Sequence, residues 1–476
     1  MINLLSRART WMTEPRDTRT SIRNLSVLLF LLFGFAYALF TQDTSSYNTL
    51  CRAAMTANMV QNGRIDINDY EHLTQDKADF GGNYYCDKGP GLSVLAAPVA
   101  FMFTRAFEVS GETPYNRVWS AFLYLCALTT SGLLTALAGV LLFRHIFART
   151  NNLNAALVSA LAFALAGPVW GWATSFYSHS ATAALLVLGY IAFDEACRRD
   201  ETRTRFAILA GLAFGGATST EYTAVVACLI IGVALGLPLL RSRLVEGVRL
   251  YAWTAAGALL ALLPVFIFHT IAFGSPFETG YAHTSIYTLH DTGIVGVGLP
   301  QPDILLKLLI SPERGVIWYA PIILATLWAA GRALGEGTTR AIAAATFLVA
   351  LFYLFMNAGF AYWQGGASTG PRYLTPAIGF SAIVLGLAWP RLGRREQLVS
   401  LVLLGLGIAI ALACTAVGMV AGGPRILPAL LQGEMHATLT YMATNRASLL
   451  HLAPPLLVGM VIGWFILNER RLFQST

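Results

Sequence analysis

An all-α polytopic membrane protein with about twelve transmembrane helices is what this sequence predicts, and three observations carry that reading. Of the 476 residues 56% are hydrophobic and only 12% charged, proportions that soluble domains do not have. Apolar runs long enough to span a bilayer recur at 25–41, 117–142, 153–172, 180–197, 206–220, 222–240, 248–272, 316–334, 341–359, 372–389, 398–421 and 448–467. Basic residues gather in the short segments between alternate runs.

Residues 1–24 hold five Arg and precede an apolar run without a small-residue cleavage site. The first run therefore reads as a retained anchor and the N-terminus as cytoplasmic. Loops 143–152, 198–205, 241–249, 332–340 and 390–397 and the tail 468–476 bring the count on that side to 21 of the 32 basic residues. Both termini then face the cytoplasm, and 42–116, 173–179, 273–315, 360–371 and 422–447 face outward.

One more apolar run, 89–107, is excluded from the spans by parity. If it crossed, every later Arg-rich loop would change sides. It is expected instead as an interfacial helix in the long first outer loop, which suits Pro90, Pro98 and Arg105 within it. Residues 1–476 form a single membrane domain, with no internal repeat and no low-complexity tract. The net charge of +7 follows from the positive-inside pattern. It argues for membrane lipids as partners and gives no indication of nucleic acid.

The first outer loop concentrates 9 of the 25 acidic residues: Asp43, Asp66, Asp69, Glu71, Asp76, Asp79, Asp87, Glu108 and Glu112. Such a set beside nearly uncharged spans points to chemistry at the membrane surface. Asp66, Asp69 and Glu71 are expected to cap or solvate a loop helix. Cys51 and Cys86 share this outward loop, where disulfides persist, and are a disulfide candidate whose alternative is two unpaired thiols. Cys126, Cys197, Cys228 and Cys414 lie in or at the ends of spans and read as small core residues.

The order of short blocks is informative. Asp43 follows the first span, and the loop closes with Tyr85-Cys86-Asp87-Lys88-Gly89-Pro90-Gly91. Further on come Phe176-Tyr177-Ser178-His179-Ser180, Thr220-Glu221-Tyr222-Thr223, the run from Phe273 to Tyr281, Ser311-Pro312-Glu313-Arg314-Gly315, Tyr362-Trp363-Gln364-Gly365-Gly366 and Gly370-Pro371-Arg372-Tyr373-Leu374. In these blocks the chain resembles the GT-C superfamily of membrane glycosyltransferases, in particular bacterial members related to arabinose and mannose transferases. The paired acidic motif seen in protein mannosyltransferases is absent after Asp43, where Thr44, Ser45 and Ser46 stand.

The resemblance implies an inverting transferase of the bacterial inner membrane, with its active site on the outer side. It implies a polyprenyl-phosphate sugar as donor and a glycan or glycolipid as acceptor. Asp43 is the expected catalytic base, because a surface carboxylate can take the acceptor hydroxyl proton. Arg372 and Lys88 are the expected donor-phosphate cations, the guanidinium suiting phosphate oxygens in a bidentate mode. His179, Glu221, Tyr281, His283, Arg314, Trp363, Gln364 and Tyr373 are substrate-binding candidates. No recognisable ligand spacing for a metal is present, so no cofactor is assigned, a divalent metal held by His179, Glu221 and Asp43 being the alternative.

Three other classes compete. A transporter or flippase of lipid-linked sugars would place ionisable groups or broken helices at mid-membrane, and the middle of each predicted span lacks Asp, Glu, Lys and Arg. A polysaccharide ligase or polymerase would carry its large functional loop late in the chain, whereas here the first loop is the largest. A scaffold without activity would retain the same blocks.

Overall fold

The computed structural model describes residues 17–42, 46–112, 116–284, 293, 296–335 and 337–474. Its first helix, α1 (Thr18–Ala38), starts where the Asp17 carboxylate accepts from the Thr20 amide, filling one of the unpaired donors of a helix start. The next, α2 (Tyr47–Asn62), stops at Gly63 with φ 66°, a left-handed cap that glycine takes without strain. A 3-10 turn (Asn68–Leu73) leads into an antiparallel hairpin of β1 (Lys77–Phe80) and β2 (Asn83–Cys86), with Lys77 opposite Cys86. The sequence reading had only helices here. The signal was Gly81-Gly82, which both take positive φ, as a two-residue hairpin turn requires.

Helix α3 (Gly91–Thr104) opens at Pro90 and packs on α2 and on α4 (Arg117–Ala127). Fourteen residues rise only about 21 Å, short of a hydrocarbon core of roughly 30 Å. Tyr124 on α4 donates to the Ala38 carbonyl at 2.7 Å. The residues between α1 and α4 therefore bring the chain back to the end at which α1 finishes.

A π-helical turn (Leu128–Gly132) joins α4 to α5 (Leu133–Thr150). Beyond it run α6 (Leu153–Leu165), α7 (Pro168–Ala173), α8 (Ser178–Arg198), α9 (Arg203–Thr220), α10 (Ala224–Ser242) and α11 (Leu244–Phe273). After a loop come α12 (Pro302–Ile310), α13 (Val316–Tyr319), α14 (Ile322–Leu334), α15 (Gly337–Gly359) and α16 (Thr375–Ala388), the last entered through a 3-10 turn, Arg372–Leu374. The chain ends with α17 (Arg394–Val417), α18 (Ile426–Gln432), α19 (Leu439–Thr444) and α20 (Ala453–Gln474).

Among the described residues nine helices are long and apolar enough to cross a membrane. The other three expected runs are helical as well, but 153–172 is interrupted ahead of Pro168 and 316–334 ahead of Pro321. The third, 206–220, lies in α9, which is rich in Gly, Ser and Thr. Those small residues serve packing. Gly211 and Gly215 press on the backbone of Thr254 and Ala258, and Gly257 on that of Ile208, so α9 and α11 meet with no side chain between them.

Ion pairs mark one end of the bundle: Arg149 with Asp194, Arg203 with Glu246, Arg243 with Asp200, and Arg332 with Glu396. The loops that the sequence assigns outward meet at the other. Large apolar residues stay exposed along the outer helices, among them Leu260, Leu263 and Ile267 on α11, Leu398 and Val402 on α17, and Leu457 and Met460 on α20. A soluble chain would bury them, whereas lipid solvates them. A second core fills the loop end, where Leu50, Tyr70, Leu92, Trp119, Phe122, Phe268 and Phe273 pack together.

Candidate active site

The loop end is held together by backbone clips and one covalent link. Cys51 of α2 and Cys86 of β2 form a disulfide, which ties the helix to the strand that runs straight into Asp87 and Lys88. Gln42 bridges three segments: its amide donates to Thr174 Oγ1 at 2.7 Å and to the Thr415 carbonyl at 3.3 Å, and its oxygen accepts from the Met419 amide at 2.8 Å. Asp43 lies outside the described residues. Its described neighbours are Gln42 and Ser46, whose hydroxyl meets that of Tyr177.

Lys88 sits between two carboxylates, 2.8 Å from Asp87 and 3.3 Å from Asp76, with the Tyr281 ring 5.3 Å from its nitrogen. Asp76 is set by Thr74, whose hydroxyl accepts from the Asp76 amide and donates to the Tyr47 carbonyl. Gly280 packs directly on Asp87, where a Cβ would come within 2.7 Å of the aspartate Cα. That close approach brings Tyr281 over the lysine. Burial pushes the Asp87 carboxyl up to about 6 against the pull of Lys88, while burial of Lys88 itself is outweighed by Asp76 and Asp87, which hold it strongly protonated.

On the facing side Arg52, buried in α2, donates to the Gly89 carbonyl at 2.9 Å and to Asn48 at 3.1 Å, and reaches Ser178 at 3.4 Å. Ser178 donates to Glu221 at 2.7 Å. His179 Nδ1 lies 3.2 Å from the same carboxylate oxygen, within ion-pair range though off the line of a hydrogen bond. Burial would raise the Glu221 carboxyl, but His179, Ser178 and Arg52 together bring it down to about 2. A carboxylate is therefore maintained at the corner between α9 and α10.

Arg372 completes the cluster. Its guanidinium stands 4.9 Å from the Tyr373 ring and 5.6 Å from the Tyr177 ring, and donates to the Tyr373 hydroxyl at 3.1 Å. Its Nε is buried without a hydrogen-bond partner. The His179 ring contacts Tyr177 and Tyr373 as well. A cation and an imidazole thus share two tyrosines, with a lysine ammonium and three carboxylates, Asp76, Asp87 and Glu221, close by. Such a constellation can hold an anion on its cations and a hydroxylated ring on its aromatics.

Of the expected residues the structure brings Arg372, Lys88, His179, Glu221, Tyr281 and Tyr373 together. His283 stacks on Phe273 and lies 3.2 Å from Glu278, on the flank behind Tyr281. Arg314 braces the 360–371 loop by donating to the carbonyls of Gly366 and Ser368. The Trp363 ring carries Lys307 at 5.6 Å, and Gln364 is exposed. Sequence reasoning gives no role to Arg52, and it names Asp76 and Asp87 only within the acidic set and Tyr177 and Ser178 only within a block. For Arg52 the available signal was a cation within an otherwise uncharged helix.

An open cleft of about 580 Å³ lies elsewhere, between α2 and the end of α3, lined by Tyr70, Phe101, Arg105 and Glu108 among others. None of the expected site residues lines it. Among the described residues two groups have metal-ligand atoms within reach of one another. In one, Cys51 and Cys86 are already bonded to each other, and in the other, His145, Asp194 and Glu195, the acids pair with Arg149, Arg198 and Arg199 at the ion-pair end.

No protein-family model matches the sequence, and no curated protein matches it either. Solved structures do match. ArnT from Cupriavidus metallidurans, in its complex with undecaprenyl phosphate, superposes with a TM-score of 0.53 at 17% identity, over 97% of this chain and 73% of that one. The Archaeoglobus fulgidus oligosaccharyltransferase in the apo form gives 0.55 at 14% identity, over 90% of this chain and 58% of that one. At such identities the likeness is one of fold: this chain shares the fold of those two proteins.

Proposed function

We propose that the chain is an inverting glycosyltransferase that moves a hexosyl or pentosyl group from a polyprenyl-phosphate donor to a lipid-linked or cell-envelope glycan. It works on the outer face of the bacterial inner membrane, with both termini in the cytoplasm. The observation that carries the reading is that Arg372 and Lys88 both lie within electrostatic reach of the buried Tyr177 and of Asp76, at the loop end of a GT-C fold. ArnT, which shares the fold, was solved with undecaprenyl phosphate bound.

In this reading the donor enters sideways from the bilayer and its phosphate oxygens meet the Arg372 guanidinium. Lys88, kept charged by its two aspartates, adds a second cation. As the bond from the anomeric carbon to the phosphate oxygen breaks, negative charge gathers on the phosphate, and fixed cations stabilise that state more than the ground state. Asp43 takes the proton of the acceptor hydroxyl as that oxygen attacks. The aromatic side chains of Tyr281 and Tyr373 border the sugar. No metal is assigned a step.

The test is mass analysis of envelope glycans and polyprenyl-phosphate sugars in cells lacking the gene, complemented with wild type or Asp43→Asn at equal membrane abundance. The transferase reading expects one sugar missing from a glycan and its lipid-linked donor accumulating, with only wild type reversing both. Unchanged glycans and donors on deletion would remove the transferase reading, and full complementation by Asp43→Asn would remove Asp43 as the base.

A further inference from the structure

We infer that His179, oriented by Glu221, is the acid that protonates the departing lipid phosphate, so that the reaction has an acid on the donor side as well as a base on the acceptor side. The inference rests on the transferase reading and adds a catalytic group to it.

The geometry is that of a carboxylate-held imidazole. His179 is 4% exposed, and its Nδ1 is 3.2 Å from Glu221 Oε2. The carboxylate, at ion-pair range though off the line of a hydrogen bond, supports the imidazolium, the rings of Trp172, Tyr177 and Tyr373 confine it, and the other nitrogen, Nε2, is left for a substrate. Glu221 is itself fixed, because it accepts from Ser178, which in turn is reached by Arg52. The groups facing the ring are Glu221 from the α9–α10 corner, Arg372 and Tyr373 from the start of α16, Arg52 from α2, Trp172 from α7 and the adjacent Tyr177.

Position assigns the substrate atom. His179 and Arg372 contact the same two rings, Tyr177 and Tyr373, so a phosphate on the guanidinium is also beside the imidazole. The chemistry matches. The donor is a phosphodiester with one negative charge, and the product is a phosphomonoester whose second ionisation lies near pH 6, so an acid beside it can deliver a proton as the dianion forms. The incoming phosphodiester charge also favours the protonated ring.

The step balances as follows. The acceptor oxygen forms the new bond to the anomeric carbon and gives its proton to Asp43. The carbon–oxygen bond to phosphate breaks with its electron pair remaining on the phosphate oxygen. His179 Nε2 transfers its proton to that phosphate, which leaves as the monoanion on Arg372. Bulk solvent then restores both protonation states.

The experiment follows transfer by the full-length protein in liposomes, using a polyprenyl-phosphate sugar shown to be a donor for wild type, across pH 5 to 9. His179→Asn is expected to lower kcat by about 10²–10³-fold, with donor KM within about threefold and polyprenyl-phosphate binding unchanged. Wild type should lose rate on the alkaline side as its acid deprotonates. His179→Asn should lack that limb, and Glu221→Gln should displace it. His179→Ala, which tests the same point if the Asn variant folds poorly, should regain rate with added imidazole. An alkaline limb that survives in His179→Asn, together with no imidazole rescue, overturns the proposal while leaving the transferase reading intact. Absence of transfer by wild type with any polyprenyl-phosphate sugar overturns both.

Discussion

The ammonium of Lys88 lies 2.8 Å from the carboxylate of Asp87, its neighbour in sequence, and the Asp87 side chain is fully buried. Asp76 flanks the lysine 3.3 Å away, so one cation offsets two carboxylates. Removing one partner of a buried ion pair costs about 3–5 kcal/mol, because the remaining charge stays buried and unmatched. Lys88→Met is therefore expected to lower the thermal unfolding temperature in detergent sharply, and Lys88→Met with Asp87→Asn to recover part of the loss. A Lys88→Met protein that melts with wild type would show that this pair does not hold the loop end together.

Asp87 also gives the fold a pH signature. Its carboxyl is raised from the ordinary 3.8 to about 6 by burial, so the folded chain binds this proton more tightly than the unfolded chain. The resulting stability is fully present below about pH 4 and is lost as pH rises through about 6. Glu221, held down near 2, acts in a different window: its contribution is present above about pH 4.5 and is lost as pH falls through about 2. Unfolding measured at pH 4.5, 5.5 and 6.5 should show stability falling over that range in wild type. Asp87→Asn should flatten the slope, and an unaltered slope would assign it to other groups.

The Cys51–Cys86 disulfide closes a loop across a sequence separation of 35 residues. In the chain-entropy model a loop of that size is worth about 3–4 kcal/mol. Reductant, or Cys51→Ser with Cys86→Ser, should lower the unfolding temperature, whereas Cys126→Ala and Cys414→Ala should respond only through local packing. Maleimide labelling of unfolded, unreduced protein should leave Cys51 and Cys86 unmodified. Labelling of both there would mean two free thiols.

What could be read in advance divides along physical lines. Spans were legible because hydropathy over some twenty residues is a local property, as in α11, expected at 248–272 and found at Leu244–Phe273. Arg372 and Lys88 were legible because a cation next to Gly-Pro or Pro at a span boundary stands out against an apolar background. Arg52 was not, since its role depends on meeting Gly89 and Ser178, 37 and 126 residues away. The hairpin was missed for a different reason: its four-residue strands are too short to show a period, so only Gly81-Gly82 announced them. His179 and Glu221 were named separately, but no spacing rule joins residues 42 positions apart that meet only when α8 packs on α9.

Gly365 offers a way to move Arg372 without changing it. Gly365 and Gly366 both take left-handed backbone, with φ of 67° and 62°. A side chain at either costs about 1–2 kcal/mol of backbone strain. Their surroundings differ: a Cβ on Gly365 would stand 2.6 Å from Arg372 Nε, whereas one on Gly366 meets nothing within 4 Å. Gly365→Ala must therefore push the guanidinium off Tyr177 and Tyr373, while Gly366→Ala adds strain alone. Both variants should lose similar thermal stability. Only Gly365→Ala should lose sugar transfer, by about tenfold or more, since a misplacement near 1 Å at a reacting centre can cost roughly 10²-fold. Equal activity in the two variants would mean that Arg372 can be displaced without consequence, and the phosphate would then have to be held by Lys88 instead.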